Sequence, residues 1–517
     1  MGKIVYLPLD ERPCNEKYPR LLAEIGGLTL ISPSAALLGD KKKPADVHVI
    51  ADWLLTETRD ANALIVSVDM LVYGGIVPSR LHYLAEKECA ERINLLRQCK
   101  ADHPQLRIYA FNLIMRTPAY NSSEEEPDYY LIHGADLHRY GWLLDKNTSE
   151  GLDSSEQTQW DELQENIPSN ILLDFIQRRE RNASVNEMAV ELAREGIIDQ
   201  LIIPLDDNAR YGFTSIEQRK LLFAVEAERL MDRVLIYPGA DEIGCTLLAR
   251  VFCEEKNYVP EVFVRYSSTQ GPFIIPRYED RSLNESIKSH LTAAGAFMSD
   301  SSAEADVVLM VNSPPVNQSD AAEANQTYAE RHRSYFSEVH LPEFSQAIHT
   351  YARKGKFVAL ADVATSNGAD ESLMQLLFGN GGLSCLSAYA GWNTSGNTLG
   401  TVIAHAVIAS YYASRPLEYS TVQIRKSEKF LLYRLLEDWG YQSNVRTGIN
   451  LELQETGHII KERSSSQISE ITFQISERLK AFFDTYLAST ATVPTHVNSV
   501  RLPWKRTFEV NFDLTDL

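Results

Sequence analysis

Ala63-Leu-Ile-Val-Ser-Val68 is apolar at nearly every residue, odd and even positions alike. A strand with one wet face alternates polar and apolar side chains. A strand with no wet face does not, and such runs belong to parallel sheets covered on both sides. Comparable runs stand at 3–9, 28–31, 107–114, 200–205 and 233–237, and a second series follows at 262–266, 306–311, 356–361 and 386–390. Helical patterns at 81–99, 185–196, 215–233 and 371–378 separate them. This alternation predicts the α/β class. The expected architecture is a (β/α)8-barrel-like or doubly wound parallel N-terminal domain, a second α/β domain and a smaller α+β C-terminal segment.

The 517 residues suggest two to four domains at ~150 residues each. A charged turn at 255–260 marks the first expected boundary, giving 1–255, 256–415 and 416–517. Residues 119–165 are polar, aromatic and acidic, and read as an insertion that is either an active-site wall or a solvated excursion. After 415 amphipathic helices are expected at 427–439 and 468–487, with a segment of β character between them and an extended stretch at 499–510. No internal repeat is evident.

Composition narrows the partners. A net charge of -20 and a pI near 5.1 repel phosphate backbones and anionic lipid, so neither nucleic acid nor a membrane surface is expected. The N-terminus runs into a strand without a secretory pattern, and no apolar run reaches the ~20 residues that span a bilayer. The six cysteines are scattered with no CxxC pair, as in reduced thiols of a cytoplasmic protein. Homo-oligomerisation is left open.

In parallel α/β folds ligands bind where the carboxyl ends of strands and the amino ends of helices converge. Asp10-Glu-Arg12-Pro-Cys-Asn15 follows the first strand, Asp69 and Arg80 the third, Arg116 and Tyr120 the fourth. Asp206-Asp207-Asn208 follows the fifth, Asp241-Glu242 the sixth, and Asp362, with Asn367 and Asp370, a later one. Gly391-Trp392-Asn393-Thr-Ser-Gly-Asn397 leads into a helix, where backbone N–H groups can meet a ligand oxygen and the indole can stack on a sugar. The alternative is a glycine turn with a Ser or Thr cap and a core tryptophan. Asp241-Glu242 is open to either capping or binding. Arg12 is read as touching substrate or supporting the site through a carboxylate.

Asp206-Asp207 is the sharpest feature. Two carboxyls forced together at a sheet edge have their pKa values pushed apart, which leaves one ionised and one able to hold a proton near neutrality. Acid/base catalysis needs that division. The competing reading is a helix cap or a turn. No P-loop, GxSxG, HExxH or dinucleotide fingerprint is present.

Leu7-Pro-Leu-Asp-Glu-Arg-Pro-Cys-Asn15, Pro238-Gly-Ala-Asp-Glu242 and Ala390-Gly-Trp-Asn-Thr-Ser-Gly-Asn-Thr-Leu-Gly400 together resemble a bacterial family known as a domain of unknown function. The likeness spans nearly the whole chain. Asp206-Asp207 alone resembles the acid pair of substrate-assisted β-N-acetylhexosaminidases, which often use a (β/α)8 barrel. That resemblance implies Asp206 as polariser of the substrate acetamido group and Asp207 as general acid/base. In that family the pair follows the fourth barrel strand, whereas here it follows the fifth visible strand.

Three classes of function are therefore weighed. The leading expectation is a retaining exo-β-N-acetylhexosaminidase using substrate-assisted catalysis without a cofactor, on a small carbohydrate. Its substrate-binding set is Asp10, Arg12, Asp69, Arg116, Tyr120, Asn208, Asp241, Glu242, Trp392, Asn393 and Asn397. The second is an enzyme binding a hard cation through Asp10, Asp69, Asp206, Asp241 or Asp362. The third is a non-catalytic sugar-binding protein.

Overall fold

A computed structural model describes residues 2–415, 421–455 and 464–516. The chain divides into two compact units. One comprises Met1–Lys17, Leu28–Leu247 and Tyr278–Asp280; the other comprises Tyr18–Gly27, Leu248–Arg277 and Arg281–Leu517. The change of unit near residue 247 lies close to the boundary expected at 255. The described residues after 415 are gathered into the second unit.

In the first unit the strands are β1 (Lys3–Leu7), β2 (Thr29–Ile31), β3 (Ala63–Ser67), β4 (Arg107–Phe111), β5 (Gln200–Leu205) and β6 (Val234–Pro238). All pair in parallel, in the order β2-β1-β3-β4-β5-β6. The sheet ends on β2 and β6, so of the two arrangements expected it is the open, doubly wound one. Right-handed crossovers explain the winding. The connection from β1 turns back to β2; every later one runs the other way and lays its helix on a single face. Val5, Leu7, Leu64, Val66, Ile108, Ala110, Leu201 and Ile203 meet those helices in one apolar core.

The opposite face is equally dry. Tyr6 is fully buried, and its hydroxyl donates to the Asn15 carbonyl at 2.5 Å. Gly244 approaches the same hydroxyl so closely that a Cβ there would lie 2.2 Å from it. Both parities of β3 are buried, which is why Ala63–Ser67 carries no polar alternation.

In the second unit the strands are β7 (Glu261–Tyr266), β8 (Phe297–Ser299), β9 (Val307–Asn312), β10 (Ala322–Glu323), β11 (Phe357–Asp362), β12 (Thr365–Ser366), β13 (Ala388–Ala390), β14 (Thr495–Arg501) and β15 (Asn511–Asp516). The main sheet is parallel, in the order β13-β11-β9-β7-β8. Counted within its own sheet it reads 2-1-3-4-5, the order of the first five strands of the other unit. β10 and β12 form a two-residue parallel pair, and β14 and β15 an antiparallel ribbon.

Several local expectations are corrected. The insertion is largely helical, at Tyr130–Ser149 and Ser154–Asn166, packed through Tyr130, Leu137, Leu143 and Leu163 on Phe175 and Phe213. The helix expected at 185–196 is the end of one spanning Ser169–Arg194. Its first half hides charge: Arg178 pairs with Asp174, and Arg179 with Glu217. The segment expected to have β character is helical from Leu435 to Glu455; residues 456–463 of it lie outside the described residues. The extended stretch at 499–510 is interrupted by a turn at Pro503–Lys505, where Trp504 and Lys505 adopt positive φ.

The Tyr6–Gly244 contact gives a test. Gly244→Ala should cost about 1–3 kcal/mol by overpacking, measured by urea denaturation. Gly379→Ala should be neutral, because nothing lies within 4 Å of a Cβ built there.

Candidate functional site

The carboxyl edge of the first sheet carries two polar centres of different character. The first gathers Asp10, Arg12 and Asn15, which follow β1, with Asp241, which follows β6. Asp10 Oδ1 accepts from the Arg12 amide at 2.9 Å and from Asn15 Nδ2 at 3.0 Å. The Arg12 guanidinium donates to Asp10 Oδ2 at 2.6 Å and to Asp241 Oδ1 at 2.5 Å. All four residues are buried. Burial raises the Asp10 carboxyl to about 6 against the pull of Arg12. Glu242, also buried, closes its own turn by accepting from the Ala240 amide at 2.9 Å. Gly239 makes room for it, since a Cβ there would lie 2.1 Å from Glu242 Oε1. These groups hold loops together.

Asp69 is likewise structural. Its Oδ2 accepts from the Leu113 amide at 3.0 Å and from Asn112 Nδ2 at 3.3 Å, tying the end of β3 to that of β4. Burial raises this carboxyl to about 6. Asn208 is buried, with its amide donating to the Tyr278 carbonyl at 2.9 Å.

The second centre is built around Asp206 and Asp207. Arg80 donates to Asp206 Oδ2 at 2.8 Å, to Glu125 at 3.1 Å and to Glu126 at 3.3 Å. Arg116 donates to Glu126 at 2.9 Å, to Glu125 at 3.1 Å and to Asp207 Oδ2 at 3.5 Å. Two guanidiniums are thus held among four carboxylates. Asp207 takes the left-handed backbone, φ 48°, at the first turn beyond β5. A non-glycine residue there costs on the order of 1 kcal/mol, sustained by the packing around it. The Asp206 and Asp207 side chains keep 12% and 18% exposure, so the centre opens to solvent. Burial first, and the Asp206 charge second, raise the Asp207 carboxyl to about 7. Tyr120, 51% exposed, stands in the electrostatic reach of Arg116 and Asp207.

Sequence reasoning named Asp206, Asp207, Arg116 and Tyr120, and the structure brings them together. It omitted Arg80, Glu125 and Glu126 from the site. The available signals were Arg80 itself, noted after the third strand, and the acidic run Glu124-Glu-Glu126 at the start of the insertion, which here forms one wall of the centre.

The glycine–tryptophan segment belongs to the second unit and reads differently from the expectation. Trp392 is 4% exposed, edge-on to Tyr18 at 5.9 Å, with the Arg434 guanidinium 5.5 Å from its ring. Its Nε1 donates to Thr401 Oγ1 at 3.2 Å. No sugar can stack on an indole so enclosed. Thr394 caps the helix Ser395–Ala413 by accepting from the Asn397 amide, and Asn393, at φ 54°, offers its carbonyl to the Asn367 amide. The segment is therefore a capped turn with a core tryptophan.

The second unit has its own acid pair. Asn312, at the end of β9, donates to Asp362 at 2.9 Å and to Asp370 at 3.2 Å; Arg331 donates to Asp370 at 2.7 Å. Burial, then the Asp370 charge, raises Asp362 to about 7. Of the five aspartates weighed for a cation, Asp10 and Asp241 share Arg12, Asp69 binds β4, Asp206 binds Arg80, and Asp362 accepts from Asn312 in the second unit. Among the described residues no three His, Cys, Asp or Glu side chains are placed to hold a metal.

Fold and site define a two-unit α/β protein with an arginine–carboxylate centre at the edge of its first parallel sheet. The chain belongs to the family described as a protein of unknown function (DUF4127), whose model matches residues 4–513. No curated protein matches it.

The raised Asp207 carboxyl has a thermodynamic consequence. Its folded pKa exceeds the unfolded value of 3.8, so the stability it contributes is full below about pH 4 and is lost as pH rises through about 7. Asp207→Asn cannot ionise and should escape that loss. Its thermal midpoint, followed by calorimetry, should exceed the wild-type value at pH 8 and converge on it toward pH 4. A gap that does not change with pH would contradict the raised carboxyl.

Proposed function

We propose that this protein is a glycoside hydrolase whose proton donor is Asp207. The observation that carries the reading is the unequal pair at the end of β5. Asp206 is ion-paired to Arg80 at 2.8 Å, while the adjacent Asp207 has its carboxyl raised to about 7 and keeps contact with solvent. A donor must hold its proton near neutrality and release it to a leaving oxygen within reach. Desolvation beside a like charge produces that state.

The pair suits substrate-assisted cleavage of a terminal β-N-acetylhexosaminide. Asp206 would accept the acetamido N–H and orient its oxygen toward the anomeric carbon. Asp207 would protonate the departing oxygen, then take a proton from the water that opens the cyclic intermediate. This route replaces an enzyme nucleophile with the substrate's own oxygen. Tyr120 supplies the aromatic surface beside the acid, the part first given to Trp392, and Arg116 holds the wall formed by Glu125 and Glu126. No metal or organic cofactor enters these steps.

The substrate class is a small carbohydrate, and a net charge of -20 argues against nucleic acid. The six unbridged cysteines support a cytoplasmic setting, and among the described residues no helix is long and apolar enough to cross a membrane.

Release of nitrophenol from aryl N-acetyl-β-glucosaminide and -galactosaminide tests the reading. Wild-type activity should decline as pH rises above about 7, when the donor loses its proton. Asp207→Asn should lower kcat at least about a hundredfold, and a chelator should leave the rate unchanged. Absence of turnover across the common aryl hexosaminides would sink the proposal. Sugar binding without turnover would move the protein to the non-catalytic class.

A further inference from the structure

Five of the six cysteines are buried; Cys385 is partly exposed. It ends the short turn Gly382–Cys385 just before β13, at the amino edge of the second sheet, opposite the edge that carries Asp362. Its Sγ lies 3.3 Å from His349 Nδ1, and His349 Nε2 lies 3.1 Å from Asn380 Oδ1. The Asn380 amide is oriented by other contacts: the Gly382 amide donates to its Oδ1 at 3.0 Å, and its Nδ2 donates to Ser345 Oγ at 2.9 Å. The atom facing His349 is therefore an acceptor. The ring must carry its proton on Nε2, which leaves the Nδ1 lone pair facing the thiol. Nucleophile, base and orienting amide stand in hydrogen-bond sequence.

Two further features suit proton transfer from this thiol. His349 lies near the carboxyl end of the helix Leu341–Arg353, whose carbonyls favour the imidazolium that transfer creates. Arg353, one turn on, is exposed and donates to the His349 carbonyl and Thr350 Oγ1, both at 3.4 Å. Burial raises the Cys385 thiol and Arg353 lowers it, so the thiol needs a base to become a nucleophile. Gly382 is part of the construction, since a Cβ there would lie 3.0 Å from Asn380 Oδ1 and 3.4 Å from His349 Nε2.

We propose that Cys385 is a thiol–disulfide exchange site for soluble disulfides that bear carboxylates, with His349 as base and Arg353 as the carboxylate contact. The Cys385 proton passes to Nδ1, and the thiolate attacks one sulfur of the disulfide. That S–S bond breaks as a bond from Cys385 Sγ forms. The departing thiolate takes the proton from the imidazolium. One thiol and one disulfide become one mixed disulfide and one thiol, so Cys385 is oxidised as the released sulfur is reduced.

The full-length protein, incubated with oxidised glutathione at neutral pH, quenched in acid and mapped by mass spectrometry, tests this site. The adduct should form on Cys385, about a hundredfold faster than in His349→Gln. Arg353→Gln should slow the reaction with oxidised glutathione and leave that with neutral bis(2-hydroxyethyl) disulfide unchanged. An unaltered rate in a folded His349→Gln protein would overturn the proposal. Should that variant misfold, the wild-type pH–rate profile decides. A rate that follows an imidazole near ~6.5 supports the site, and one that follows an ordinary thiol near ~8.5 rejects it.

Discussion

Arg80 and Arg116 bring two permanent charges to a sheet edge where little water reaches, and the carboxyl edge of the first unit is organised around neutralising them. A guanidinium cannot give up its proton in such a place, so it must be met by acids or left at a cost of several kcal/mol. Four acids meet the two. Glu125 and Glu126 come from the insertion, Asp206 and Asp207 from β5, and the surplus of negative charge settles on the least compensated member. That member is Asp207, whose contact to Arg116 is the longest in the set at 3.5 Å. Burial is the largest cause of the raised carboxyl, and the neighbouring Asp206 charge adds to it against the pull of Arg116 and Arg80.

The two parallel sheets share the order 2-1-3-4-5, and each brings buried acids to its carboxyl edge. In such sheets the strand order reverses between the first and third strands, where a crevice usually receives the ligand. Here the first unit fills that position with Asp10, Arg12, Asn15 and Asp241, all buried and hydrogen-bonded to one another. Its open centre is displaced toward β4 and β5. The displacement has a plain origin: the connection from β4 to β5 carries the helical insertion, and only there does a long loop rise above the edge to make a wall.

All ten strands read from apolar runs exist, and in strands such as β3, β5 and β9 burial on both faces leaves a signal in every residue. The strands that escaped notice, β8, β10, β12, β14 and β15, are short, edge-placed or half-exposed, and lack that signal. The first half of Ser169–Arg194 was hidden for a different reason. Arg178, Arg179 and Asn182 break the apolar stripe, yet all three are buried, and each has a partner at a distant position that one-dimensional periodicity cannot represent. The site shows the same division. Residues immediately after strands were legible, whereas Arg80 and Glu126 reach the centre through chain paths of variable length. Trp392 was misread because glycine and asparagine beside an indole describe a capped turn as well as a binding loop, and only the Tyr18–Trp392–Arg434 packing separates the two.

Raised carboxyls by themselves do not locate chemistry in this molecule. Asp10 and Asp69 are raised to about 6, and Asp207, Asp362 and Asp438 to about 7, each with burial as the largest cause. What distinguishes Asp207 among the five is access. Asp10, Asp69, Asp362 and Asp438 are enclosed and accept hydrogen bonds from neighbouring backbone amides, so protonating or moving them would loosen a loop. Asp207 is partly open, takes a left-handed backbone, and meets Arg116 at 3.5 Å. A proton can reach this carboxyl from solvent and leave to it, which is the physical requirement that a general acid adds to a raised pKa.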